Sequence, residues 1–139
     1  MSDFQLNDLI ASTSFHVMMC DGCAVRLVND SRYLWLLAIP QITGISELHD
    51  LSDDARHSLM DSASQIAHII QEKTKADKMN IATIGNIVAQ MHLHIVARYQ
   101  DDAAWPQPIW GRGAQIPYDE RAKEAQLAKL KNWLSPLAI

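Results

Sequence analysis

The sequence predicts an α+β fold: an antiparallel sheet with one long helix and a C-terminal helix. Three observations carry that expectation. Strand-like and helix-like segments follow one another in the order strands, helix, strands, helix. Asp21-Gly22, a strong two-residue hairpin signal, separates the apolar stretch Val17 to Cys20 from Cys23 to Val28. The run Gln90-Met91-His92-Leu93-His94-Ile95-Val96 alternates polar and apolar side chains with the period of a strand that buries one face.

Residues 4 to 13 suit a short amino-terminal helix, and the 17–28 hairpin follows it. Asn29-Asp30-Ser31-Arg32 turns the chain into Tyr33 to Ile39, an unbroken apolar run that reads as a central strand covered on both faces and ended by Pro40. Ser52-Asp53-Asp54 opens the long helix, a capping hydroxyl followed by acids that favour the positive end of the helix dipole. Ala55, Leu59, Ala63, Ile66 and Ile70 recur on one face of it, and it fades between Gln71 and Lys78. A strand from Met79 to Ile84 leads through Gly85-Asn86 into the histidine strand, which continues to about Tyr99. Residues 101 to 118 hold three prolines and two glycines and read as a loop. Asp119 to Leu134 forms the last helix, with Leu127, Leu130 and Leu134 inward.

At 139 residues, 48% hydrophobic and 20% charged, the chain suits one globular domain over residues 1–139 with a single core. A net charge of −4 gives no reason to expect binding to nucleic acid or to a membrane surface, so an anionic ligand needs a local site. The amino terminus lacks a basic stretch followed by an apolar run, and the longest apolar run, Tyr33 to Pro40, is too short to cross a bilayer. The expected compartment is the cytoplasm. Cys20 and Cys23 have the spacing of half a zinc site, but no second cysteine pair exists, and flanking a tight turn is the simpler reading.

The histidine strand carries the chemistry. Gln90, His92 and His94 are expected on one surface, roughly 6.5–7 Å from one to the next. A neutral imidazole is a competent nucleophile, because its ordinary pKa lies near 6.5. Attack on phosphorus would split one displacement into two, while flanking donors neutralise the non-bridging oxygens. His92, with a neighbour on each side, is the best placed to attack. Two other readings fit a histidine pair on a strand: a metal site needing further ligands, or satisfied polar groups on a solvated face.

The stretch Lys78-Met79-Asn80, then Gly85-Asn86-Ile87-Val88-Ala89-Gln90-Met91-His92-Leu93-His94-Ile95-Val96, resembles the signature of the histidine triad (HIT) superfamily. That motif is His-x-His-x-His plus two apolar residues, preceded by Gly-Gln-Ser/Thr-Val. Leu27-Val28-Asn29, Ala38-Ile39-Pro40, Glu47 to Ser52 and Trp105-Pro106 resemble further family segments, so the likeness covers roughly residues 20 to 111. It is nearest to bacterial HIT-like proteins with Gln in the first triad position and a Trp-Pro-x-Pro-x-Trp-Gly tail, here Trp105 to Gly111.

The resemblance implies a homodimer that binds a purine nucleotide or other nucleoside phosphate and hydrolyses or transfers it. Dinucleoside polyphosphates and nucleoside phosphoramidates are the implied substrates. His92 would form the nucleotidyl intermediate, and His94 would contact the phosphate and assist the leaving group. Asn80 would contact phosphate, as would Ile87 through its backbone N–H; Asn86 matches the motif's Gln after glycine and would bind the nucleotide; Asn29, or alternatively Asp30, would hold ribose hydroxyls. Gln90 replaces the first histidine and removes a titratable ring, while Ile87 replaces a phosphate-binding hydroxyl. These departures leave open a nucleotide-binding protein with little or no catalysis. A family zinc site built on a Cys-x-x-Cys pair needs a histidine where Gln90 stands, so no metal or other cofactor is expected. Trp105 and Trp110 would lid the site or pack at a dimer contact, and Arg98 is either a phosphate ligand or a solvated strand end.

Overall fold

A computed structural model describes residues 3–139. Helix α1 (Asp8–Thr13) leads into β1 (Ser14–Cys20), β2 (Cys23–Val28) and β3 (Trp35–Pro40). Helix α2 (Asp53–Thr74), β4 (Lys78–Thr83), β5 (Leu93–Arg98) and α3 (Glu120–Leu134) follow. The five strands form one sheet in the order β1-β2-β3-β5-β4, antiparallel at every pairing. This is the α+β arrangement that the element order predicts.

Local chemistry sets the element ends. Asn7 caps α1, its side-chain oxygen accepting from the N–H groups of Leu9 and Ile10, so the helix starts later than residue 4. The hairpin turns at Asp21 and Gly22, both at positive φ (45° and 80°), and sets Cys20 opposite Cys23. Both cysteines are free and buried, and burial first, then Cys20 and Asp21, push the Cys23 thiol up to about 11. Ser52 caps α2 by accepting from Ala55, and Lys75 in the left-handed conformation ends it. Asp119 caps α3 in the same way as Ser52.

Helix α2 packs Leu59, Ala63, Ile66 and Ile70 against one face of the sheet, where Val25, Leu27, Leu36, Leu93 and Ile95 meet them together with Leu130 and Leu134 of α3. On the other face two smaller clusters form. One is Ile10, Val28, Leu37 and Ile39; the other is Tyr33, Val96, Ala104 and Ile109, supplied partly by the 101–118 loop. Each fully buried aliphatic side chain contributes roughly 1.5–3 kcal/mol.

Covering both faces changes the expectation for the histidine strand. All six residues of β5 are buried, not alternate ones. The strand also begins only at Leu93, leaving Gln90, Met91 and His92 in the approach to it. Among the described residues no helix is long and apolar enough to cross a membrane.

Candidate functional site

A cleft of about 470 Å³ opens on the face opposite α2. Leu9, Ile10 and Thr13 of α1 line one wall, Val28 and Leu37 of the sheet its floor, and the 109–115 segment the far side. His92 lines this cleft and is 9% exposed. Its Nδ1 lies 2.7 Å from the Gln90 carbonyl oxygen. A carbonyl only accepts, so Nδ1 carries the proton and the neutral ring keeps its lone pair on Nε2. Among the described residues Nε2 has no hydrogen-bond partner, and that nitrogen is the one available to a ligand.

The turn before the histidines is fitted closely to this ring. A Cβ on Gly85 would stand 2.8 Å from the Val88 carbonyl oxygen and 3.8 Å from His92 Cε1, so only glycine lets the turn close there. Asn86 and Ile87 in the same turn line the cleft mouth, and Ile87 is 90% exposed.

His94 sits beneath His92, with ring centroids 4.9 Å apart and edge to face. That is shorter than the repeat expected of a continuous strand, and β5 begins only at Leu93, between the two histidines. Both nitrogens of His94 are engaged. Trp35 Nε1 donates to Nδ1 at 3.0 Å, Trp110 Nε1 approaches the same atom at 3.4 Å, and Nε2 lies 3.1 Å from the Ile84 carbonyl. Indoles only donate and a carbonyl only accepts, so the ring is neutral with its proton on Nε2. Burial lowers its pKa to about 4, with the bond to Ile84 opposing and the nearby His92 adding to the shift. In this arrangement His94 supports its neighbour and has no nitrogen free for a phosphate.

Asp30 lines the cleft at 1% exposure. Arg32 grips its carboxylate through Nε and Nη2, at 3.0 and 2.8 Å, and donates from Nη1 to the Arg112 carbonyl. Burial alone would raise the Asp30 pKa; the Arg32 bonds outweigh it and hold the group below the ordinary carboxylate range. Arg32 and Arg112 both line the cleft, which offers an anion local positive charge within a negative molecule.

His94 lies beneath His92 and does not itself line the cleft, and three further candidate residues lie away from it. The Asn29 side chain accepts from the Tyr118 N–H at 2.8 Å, and its carbonyl accepts from the Gln115 side chain. Asn80 on β4 accepts from Arg98 at 2.8 Å. The Gln90 amide turns toward the amino-terminal segment, bonding Asn7 and Gln5. His92, His94, Asp30, Asn86 and Ile87 are therefore brought together, and Asn29, Asn80 and Gln90 stand apart.

Arg98 is neither a phosphate ligand nor solvated. It is 2% exposed, forks onto Asp102 at 2.8 and 3.1 Å and donates to the Gln107 carbonyl. Its guanidinium also lies over the Trp105 ring. Trp35 lies inside the Tyr33 to Ile39 apolar run, so nothing in the sequence marks its ring N–H as a partner for His94; that follows only from the pairing of β3 with β5. Among the described residues no group of three His, Cys, Asp or Glu side chains is arranged to hold a metal.

Residues 11–101 match the HIT domain family, well over half of the chain. The protein is a member of the HIT family. No curated protein matches it. Solved HIT structures do: a histidine triad protein from Marinobacter aquaeolei VT8 superposes with a TM-score of 0.94 at 36% identity, over 97% of this chain and 98% of that one. A histidine triad (HIT) protein from Sinorhizobium meliloti 1021 gives 0.90 at 32% identity, over 94% and 96% of the two chains. One from Bradyrhizobium japonicum gives 0.89 at 32%, over 93% and 96%. HIT proteins are in general nucleotide-binding hydrolases or transferases. The family match ends before Trp110 and Arg112, while the Marinobacter superposition spans nearly the whole chain.

Proposed function

We propose that this HIT protein binds a purine nucleotide in the 470 Å³ cleft and hydrolyses or transfers its phosphoryl-linked group through His92. The observation that carries the reading is the His92 ring itself, held through Nδ1–H on the Gln90 carbonyl with Nε2 unpartnered toward the cleft. Nε2 attacks the phosphorus attached to the nucleoside, forming a P–N bond as the bond to the leaving group breaks with its electron pair. The leaving group takes its proton from solvent. The imidazolium that results keeps Nδ1–H on the carbonyl, whose negative end stabilises the new charge. Water, or another acceptor, then attacks phosphorus and gives up a proton to solvent as the P–N bond breaks and its electron pair returns to Nε2. Dinucleoside polyphosphates and nucleoside phosphoramidates fit this chemistry, because each offers a leaving group beside a nucleoside phosphate.

Support comes from the fit of the surrounding groups. The apolar floor and α1 wall suit a base, Arg32 and Arg112 suit phosphate oxygens, and Asp30 is a buried carboxylate in the lining that suits ribose hydroxyls. A second reading, nucleotide binding with little catalysis, draws on Ile87, which supplies no hydroxyl at the cleft mouth. One experiment separates the two. Incubation with radiolabelled adenosine phosphoramidate, followed by rapid denaturation, should trap label on the wild-type protein and none on His92→Ala. Equal turnover by both proteins rejects the role of His92; tight AMP binding with no turnover by the wild type favours the second reading.

A further inference from the structure

The amide of Gln90 lies outside the cleft, yet both of its ends are used. Oε1 accepts from the Asn7 N–H at 2.8 Å, and Nε2 donates to the Gln5 carbonyl at 2.8 Å. An N–H and a C=O two residues apart are what an extended segment presents to a neighbouring strand. The side chain therefore takes the place of a strand's peptide group and pins residues 5–7 against the approach to β5.

Asn7 is also the residue whose side chain caps α1. The helix it starts carries Leu9, Ile10 and Thr13 into the cleft wall. Beneath it Phe4 and Leu6 pack with Ile10, Val28 and Leu37. At the same time the Gln90 carbonyl accepts from His92 Nδ1 at 2.7 Å. One residue thus holds the attacking ring through its backbone and the opposite wall through its side chain.

We propose that Gln90 is a positioning residue that fixes the α1 wall relative to His92, so that it sets affinity for the nucleoside part of the ligand and not the rate of the chemical step. The inference rests on the nucleotide-cleft reading. A histidine cannot reproduce the clamp. The amide presents oxygen and nitrogen side by side at the tip of a flexible stem, whereas imidazole nitrogens point apart around a ring on a shorter one. At position 90 histidine keeps one partner at most.

The test compares wild type with Gln90→His and Gln90→Ala. Hydrogen exchange at the Asn7 amide is read on the free protein, AMP affinity by calorimetry, and hydrolysis of adenosine phosphoramidate by steady-state kinetics. With one or two hydrogen bonds lost, Asn7 exchange, AMP Kd and KM should each rise about tenfold in both variants while kcat stays within about twofold. Unchanged exchange at Asn7 overturns the inference, as does faster exchange with unchanged Kd. A Gln90→His protein with higher kcat and unaltered KM overturns it too, since position 90 would then act in the chemistry. A wild type that neither binds AMP nor turns over the phosphoramidate removes the functional reading and this inference together. That failure is visible without any variant, which keeps the two apart.

Discussion

His94 is a histidine whose charge the fold has removed. Two indole N–H groups point at one nitrogen and a carbonyl takes the other, and burial brings the pKa down to about 4. The consequence for stability has a definite sign. Between about pH 6.5 and 4 the unfolded chain binds a proton at this position and the folded one does not, so stability falls as pH drops through that window. From pH 7 to pH 5 the loss from His94 should be about 2 kcal/mol. Urea unfolding of wild type and His94→Asn at both pH values checks this. His16, exposed on β1 and also lowered by burial, is present in both proteins and cancels from the difference. An equal pH loss in both would mean that His94 titrates normally when folded. At this scale the sequence displayed the histidines but not their roles. Residue types and spacing show that His92 and His94 are near one another. They do not show that a carbonyl two residues back orients the first or that Trp35 and Trp110 occupy the second, because both depend on where the backbone bends before Leu93.

At the scale of elements, the long helix and the hairpin were written plainly, since capping residues, an Asp-Gly turn and a regular apolar stripe act over a few residues each. The histidine strand was legible as a strand and misjudged as half-exposed. Its covering comes from α2 on one side and from loop 101–118 on the other, and a loop's packing leaves no period in sequence. That loop is organised by Asp102. Its carboxylate accepts from the N–H groups of Tyr99, Ala104 and Trp105 and pairs with Arg98, both partners being nearly sealed from solvent at 5% and 2%. Burial alone would raise its pKa; the bonds from Arg98 and the three amides hold it at about 2. Asp102→Ala would leave a buried guanidinium without its counter-charge, at a cost of about 3–5 kcal/mol in denaturant unfolding. The same change should loosen the segment bearing Ile109 and Trp110, read as altered tryptophan fluorescence before global unfolding. A cost below about 1 kcal/mol would place the pair with solvent-exposed ion pairs and remove this account of the loop.

Over the whole molecule, the cleft is assembled from pieces distant in sequence: α1, β2, β3, the 84–88 turn, His92 and the 109–115 segment. Each wall is held by a different device, among them the Gln90 clamp, the Arg32–Asp30 pair and the Arg98–Asp102 pair. A ligand that touches all of them exists only against the folded chain, so binding must appear as global stability. At a free concentration of one hundred times its Kd, a nucleotide adds about 2.7 kcal/mol, which for a chain of this size raises Tm by roughly 8 °C. AMP should produce that shift in scanning calorimetry, whereas inorganic phosphate, which reaches only the Arg32 and Arg112 end, should give a far smaller one at equal concentration. His92→Ala should keep most of the AMP shift, because the role proposed for the ring is attack and most of the cleft lining is elsewhere. If AMP moves Tm no more than phosphate does, the apolar floor and the α1 wall contribute nothing to recognition, and the cleft is an anion site without a nucleoside pocket.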